Sequence, residues 1–528
     1  MQSTIMSRAI RMALTASLML GSISSSAYAD LSTTGFTAGN IVISTYSGST
    51  LDAASAITLK EFSLGAGNTS ASYAGSLTLA QTNSGNNSAI SGEYGTASEG
   101  LLQQTANGQY LTMMGYGVNA NTFNSYISGG ISASPYGATA LGQTTSLTAA
   151  GQIAANPAAP VYTTVSRVVA LVGADASVDT STALTGVFNT NNPRSVASVD
   201  GSSFYVSGQA SSKTDPTQGV FYTTLGSSTA TAIDTSTDTR SVEIINNGNG
   251  NQLYVSRDYN PPGTASATNP QIANVDKLTT ASGTLPTSAA GTTETIITPG
   301  SASVAGGNQA SIDLPANHSL DNGVNNVANS GTGATNRDGS FVYLSPEQFF
   351  MASSTVMYVA DSGQPKNGNV NKAAEGEGGL QRWDLNTTTG IWSLSYDLVA
   401  GLHLVNNDLA NAATPTANGV TGLLGLTGEV IGNQVYLFAT SYGLNELSQS
   451  YLYEITDNLN NKSITDANAA NETFTTLYTA ANGEAIRGIA FAPTAPLASV
   501  PLPPSLLMML TGLGLTGILG RRSKHAAI

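Results

Sequence analysis

From residue 30 onward, short runs of β-branched and aromatic residues alternate with clusters of Gly, Asn, Asp and Ser, and no long stretch has helical apolar spacing. That alternation predicts strands joined by tight turns. The unit is complete at Pro193–Ser207, where Arg194-Ser195-Val196-Ala197-Ser198-Val199 reads as a strand, Asp200-Gly201 as a turn and Phe204-Tyr205-Val206-Ser207 as a second strand. It returns at Thr239 to Ile245, followed by an Asn/Gly-rich turn and Gln252 to Ser256. Weaker copies run from Ser98-Glu99-Gly100-Leu101-Leu102 through Asn107-Gly108 to Tyr110-Leu111-Thr112, and from Asn433 to Phe438. Met357 to Ala360 carries only the second strand. The tyrosines at 110, 205, 254, 358 and 436 are spaced by 95, 49, 104 and 78 residues, so three of the four gaps approach one or two periods of about 50.

A period of roughly 40 to 50 residues with about four short strands is that of a β-propeller blade, which makes the expected body all-β. Spread over seven blades, a body of roughly 460 residues gives about 66 per blade. The expectation is therefore a seven-bladed propeller with loop insertions near residues 121–160 and 260–336, both rich in Ala, Ser, Thr, Gly and Asn. Ala485 to Pro493 reads as the first strand of one more unit and Gly39 to Thr45 as an opening strand, so the two are expected to pair and close the circle. The rival folds are a β-sandwich and a right-handed β-helix, the latter needing a rung period of about 20 to 25 residues that is not found here. The Arg-x-Val, Asp-Gly, Tyr-Val pattern resembles the YVTN-type propeller repeat and, more loosely, NHL-like propellers.

The two ends differ from the body. Residues 1–29 carry Arg8 and Arg11, an apolar run from Met12 to Ile23, and Ala27-Tyr28-Ala29 before Asp30. This order is that of a secretory signal peptide with a helical apolar segment, Ala27 and Ala29 filling the peptidase pockets and Asp30 opening the mature chain. The body is expected over residues 30–496. Residues 497–528 hold Val500-Pro501-Leu502-Pro503-Pro504, the uncharged run Ser505 to Gly520, then Arg521, Arg522 and Lys524. Sixteen apolar or small residues make a helix of about 24 Å, a marginal span with its cations cytoplasmic and the body outside. This tripartite tail resembles the PEP-CTERM sorting signal, with Leu502 where the commonest form has Glu. The resemblance implies transient anchoring in the inner membrane of a Gram-negative bacterium. It further implies cleavage near Val500, Pro501, Leu502 and Pro503 by an exosortase-type protease that recognises Arg521 and Arg522, and release to the cell surface or an exopolysaccharide matrix.

Composition narrows the chemistry. The chain has no Cys, which removes disulfides, thiolate metal sites and cysteine nucleophiles. Charged residues are 9%, Ser plus Thr roughly a quarter, and the net charge is −14, which argues against a nucleic-acid partner. With the five cations of the two ends removed, 13 basic residues face 32 acidic ones. His318 and His403 stand alone in unlike contexts, and neither a Gly-x-Ser-x-Gly elbow nor a Ser-x-x-Lys pair is present, so no catalytic residue, metal or cofactor is assigned. Trp383 and Trp392 would serve carbohydrate stacking or, more simply, pack between strands. Arg194, Arg240 and Arg487 hold the same place in three repeats, which would bring them to equivalent radii around a central channel, there to bind an anionic sugar or to bond loop carbonyls. The sequence thus leads to a non-enzymatic interaction or structural protein of the extracellular matrix. The alternative is a propeller hydrolase, lactonase-like or glycan-cleaving, with its site in the axial funnel.

Overall fold

The computed structural model describes residues 29–495 apart from 97, 247, 249, 260–271, 299–327, 330–333, 336–344, 364–377, 403 and 406–417. The chain divides into a unit spanning Met1–Thr494 and a second spanning Ala495–Ile528, and everything beyond Ala495 lies outside the described residues. So do residues 1–28, and with them the expected apolar helices of both ends. No helix among the described residues is long and apolar enough to cross a membrane.

The first unit is all-β, a propeller-like ring of antiparallel four-stranded sheets. Blade 1 combines Glu484–Phe491 with Ile41–Ser47, Ala54–Leu64 and Ala71–Thr78. Blade 2 contains Gln103–Gln104, Tyr110–Tyr116, Arg167–Gly173 and the short outer strand Val178–Asp179. Blade 3 runs through Pro193–Ala197, Ser203–Gly208, Gly219–Thr224 and Thr231–Asp234. Blade 4 follows with Val242–Asn246, Asn251–Tyr259, Ile272–Thr280 and Thr292–Ile296. Blade 5 is Pro346–Ser353, Val356–Asp361, Gly379–Asn386 and Ile391–Leu398, and blade 6 is Val420–Ile431, Gln434–Gly443, Tyr451–Asn458 and Thr475–Thr479. The last strand pairs with the opening one in the register Ile41↔Phe491, Val42↔Ala490 and Ile43↔Ile489, which closes the circle within blade 1.

The described residues therefore form six blades where seven were expected, and the tyrosines explain the difference. Tyr110, Tyr205, Tyr254, Tyr358 and Tyr436 each stand on the second strand of successive blades, 2 to 6. The gaps of 95 and 104 residues are thus single blades enlarged by insertions. The insertion in blade 2 is ordered by short helices, Ala120–Asn124 and Ala149–Ala155, capped by Asn119 and Thr148 through hydrogen bonds to Thr122 N and Gly151 N. Inside the segment expected as a second insertion, Ile272–Thr280 and Thr292–Ile296 are the outer strands of blade 4.

The apolar core is partitioned among the seams between blades. Tyr205 and Val220 of blade 3 meet Val242 and Leu253 of blade 4, and Phe438 and Leu452 of blade 6 meet Ile41, Ile486 and Ile489 of blade 1. Trp383 and Trp392, 1% and 8% exposed, pack with Tyr254 and Phe349 in the seam between blades 4 and 5. Their faces are spent on this core.

A second device joins the blades. A hydroxyl on the second strand of one blade donates to a carbonyl on the first strand of the next or just before it: Ser44 to Gly100 O at 2.6 Å, Thr112 to Val196 O at 2.9 Å, Ser207 to Arg240 O at 3.3 Å and Thr440 to Arg487 O at 2.6 Å. Ser256 does the same to Glu347 O. Between blades 5 and 6 the direction reverses, Thr421 donating to Ser362 O at 2.9 Å. Each bond satisfies a buried carbonyl and adds about 1 kcal/mol. The Ser/Thr-rich composition is in part this set of uncharged latches.

Candidate functional site at the axis and its mouth

The first strands of the blades surround the axis, and two glutamines fill it. Gln103 of blade 2 donates through Nε2 to Ser195 Oγ of blade 3 at 2.8 Å and to Val242 O of blade 4 at 2.6 Å. Gln348 of blade 5 donates to Leu102 O of blade 2 at 3.2 Å and accepts from Leu426 N of blade 6 at 3.0 Å. Leu101, Leu424 and Tyr442 pack beside them. The axis is thus a bonded plug.

Next to the plug lies a ring of charge. Arg194, Arg240 and Arg487 come from the first-strand side of blades 3, 4 and 1. Glu347 follows Pro346 in blade 5 as Arg194 follows Pro193 in blade 3. Arg194, 2% exposed, donates to Ser98 Oγ at 3.1 Å, Asp238 Oδ2 at 3.0 Å and Gln209 Oε1 at 2.7 Å, with a longer bond to Thr239 O. Arg240 pairs with Glu347 at 3.4 Å and Asp258 at 3.6 Å. Arg487 donates through Nε to Glu99 O at 3.2 Å, while its Nη2 has no partner among the described residues. Burial lowers the guanidinium pKa values of Arg194 and Arg487. Burial acts the same way on Arg240, but Glu347 and Asp238 outweigh it and hold that group up. Burial likewise raises the Glu347 carboxyl against the pull of Arg240 and Arg194. The cations at 194 and 240 are compensated inside the protein.

Each blade's strands alternate in direction, so the links from fourth to first strand and from second to third strand open on one face. There the axis ends in a carboxylate-bearing mouth. A cleft of about 390 Å³ is lined by Tyr94, Glu446, Ser448, Gln449, Asn482 and Glu484 among others. It continues into a neck of about 20 Å³, where Thr96, Tyr442 and Ser448 lead to Arg487. Across the Glu93–Gly100 loop, a second cleft of about 560 Å³ is bordered by Asp52, Glu93, Gly142 and Asn192. Gly142 is required by close approach: its backbone N–H donates to Glu93 Oε2, and a Cβ there would sit 2.9 Å from both that oxygen and Asn192 Oδ1.

Beneath Glu93, Glu99 accepts from Tyr116 Oη and from Glu93 N. Burial pushes Glu99 up to about 7 and Glu93 well above the usual carboxylate range, with the charge of Glu99 adding to the rise at Glu93. Between pH 4.5 and 7 the native state keeps the Glu99 proton that the unfolded chain has lost, so stability falls as pH rises through that window. The denaturation midpoint should be lower at pH 8 than at pH 5, by on the order of 2 kcal/mol from this group. Glu99→Gln should narrow the difference, and an unchanged pH dependence in that variant would overturn the assignment.

The described residues contain no group of three or more His, Asp or Glu side chains able to hold a metal ion. His318 and His403 lie outside the described residues, as do Ala27, Val500, Pro501, Leu502, Pro503, Arg521 and Arg522. Ala29 and Asp30 form a short strand parallel to Gly75 and Ser76, and Asp30 caps the helix Leu31–Thr34 by accepting from Ser32 N at 3.0 Å. Sequence reasoning missed Glu347, Gln348, Tyr442 and Glu446. The Pro-Glu at 346–347, echoing Pro-Arg at 193–194, was the available signal for the first two.

No protein-family model and no curated protein matches the sequence. Solved structures that it is similar to include a protein from Lactobacillus plantarum, at 11% identity over 59% of this chain and 77% of that one with a TM-score of 0.26. A GH43 endo-arabinanase from Bacillus licheniformis matches at 11% identity over 50% of this chain and 70% of that one, TM-score 0.23. A GH32 β-fructofuranosidase from Bombyx mori, in complex with sucrose, matches at 9% identity over 56% of this chain and 57% of that one, TM-score 0.25.

Proposed function

We propose that this chain is an exported, non-enzymatic binding protein with YVTN-like repeats, held briefly at the inner membrane of a Gram-negative cell and released to its surface or exopolysaccharide matrix by an exosortase-type protease. The observation that carries the binding half is the plugged axis. Gln103 and Gln348 cross it with their side-chain bonds used inside the protein, and Arg194 and Arg240 are spent on Asp238, Glu347 and Asp258. Binding then falls to the mouth, whose walls are hydroxyl, amide and carboxylate side chains on loops. The export half rests on the two ends of the sequence. Mass spectrometry of the released protein should find Asp30 first and a new C-terminus near Val500 to Pro504. Replacing Arg521, Arg522 and Lys524 by neutral residues should leave unprocessed chain in the membrane fraction. Released protein with peptides reaching Ile528 would overturn this half.

A hydrolase is the second reading, favoured by one observation: Glu93 and Glu99 are adjacent buried carboxyls with raised pKa values, and Glu93 borders an open cleft. New reducing ends from an incubated neutral polysaccharide, abolished in Glu93→Gln, would select it.

A further inference from the structure

We infer that the cleft at the mouth takes one unit of a neutral, polyhydroxylated ligand, a sugar residue of a glycan, with one of its hydroxyls seated in the neck on Arg487. The inference rests on the binding reading above and gives that reading its ligand class and its site.

Arg487 is 9% exposed, lies at the floor of the neck, and has an Nη2 with no partner among the described residues. A buried guanidinium N–H left without an acceptor is costly, so the position calls for an oxygen. The size of the neck limits which oxygen. About 20 Å³ is room for one water-sized group. A single hydroxyl oxygen fits there.

Charge points the same way. Glu446 stands on both the neck and the wider cleft, and its carboxyl is raised by burial and by Asp52 while Arg487 pulls it down. Asp52 lies on the same face, and the Lys60 charge is taken up by Glu484 on the cleft wall. An anionic ligand would meet these carboxylates, and a cation reaching the neck would meet Arg487. A sugar hydroxyl accepts from Arg487 and its neighbours donate to Glu446, so both signs of charge are used by a neutral partner. Ser448 accepts from Gly419 N at 3.1 Å and Asn445 N at 3.2 Å, which fixes its hydroxyl at the junction of neck and cleft. The cleft volume of about 390 Å³ lies within the range of small-ligand sites.

The test is titration of the secreted protein with labelled neutral hexasaccharides of glucose, galactose and mannose, beside a hexamer of galacturonic acid. At least one neutral hexasaccharide should bind. Glu446→Ala and Thr96→Val should each weaken it 10-fold or more with unchanged melting temperature, and Arg487→Lys should weaken it further. Binding of the galacturonate hexamer alone, or of no neutral sugar, would overturn the inference. Neutral-sugar binding that survives in both Glu446→Ala and Thr96→Val would overturn the site while leaving the binding reading intact. New reducing ends in the same samples would instead overturn the non-enzymatic reading and leave the site standing.

Discussion

A chain ending at Gly483 should be recovered as aggregate and should show no cooperative unfolding. The deleted segment Glu484–Phe491 is the first strand of blade 1 and pairs along the length of Ile41–Ser47. Its loss bares that neighbour as an open edge, with Ile41, Val42 and Ile43 all fully buried in the intact ring. It also removes Ile486 and Ile489 from the seam with blade 6, at about 2–3 kcal/mol each, and cuts the latch from Thr440 to Arg487 O and, within blade 1, the bond from Gly488 N to Ser44 Oγ. Together these losses rival the whole stability of an ordinary domain. A smaller change probes the same closure. A Cβ at Gly488 would lie 2.1 Å from Leu102 N and 2.6 Å from Gly100 O, both backbone atoms of the next blade, so Gly488→Ala should cost about 1–3 kcal/mol or more. Size-exclusion chromatography and urea unfolding decide the matter. A monomeric truncated chain with a normal transition would show that the ring holds without its terminal strand.

Arg382→Leu should lower stability by about 3–5 kcal/mol. Arg382 and Asp457 both have side chains at 0% exposure and meet at 3.2 Å across the seam of blades 5 and 6. Asp457 Oδ2 also accepts from Tyr358 at 2.6 Å and Tyr396 at 2.7 Å, and the guanidinium sits 5.9 and 5.4 Å from the centroids of those two rings. Its remaining N–H groups go to Asp384, Asn458 O and Leu459 O. Leucine at 382 leaves the Asp457 carboxylate buried without its cation, which is the costly part of the change. The double variant Arg382→Leu, Asp457→Leu should therefore recover much of the loss. Denaturant midpoints of the single and double variants check this, and a double variant no more stable than the single would place the cost in packing instead.

The strand units could be read because the second strands of blades 2, 3 and 4 repeat an apolar pattern with Tyr-x-Ser or Tyr-x-Thr, at Tyr110-Leu111-Thr112, Tyr205-Val206-Ser207 and Tyr254-Val255-Ser256. The same triplets hid the latch, since a Ser or Thr on a strand reads as an exposed position until the next blade is placed against it. The blade count went astray for a related reason: a gap of 104 residues between Tyr254 and Tyr358 looks the same whether it holds two compact blades or one enlarged blade. Of the axial groups, Arg194, Arg240 and Arg487 were visible because three blades repeat the same residue type. Glu347 was not, because it replaces a cation with an anion at the equivalent place. The mouth was illegible, since Thr96, Glu446 and Arg487 come from three unrelated stretches and meet only once the ring is closed.

The arginines also bear on how the folded body meets proteases. Arg167, Arg257 and Arg382 are among its most completely buried large side chains, and Arg194 and Arg487 are 2% and 9% exposed. A trypsin-like enzyme must draw the arginine side chain into its own pocket and straighten the backbone around it, which none of these residues permits without opening a seam or the axis. Cleavage at them is therefore governed by how often blades come apart, not by how well the enzyme matches the sequence. The positions most attractive to such a protease double as the fastenings that keep it away.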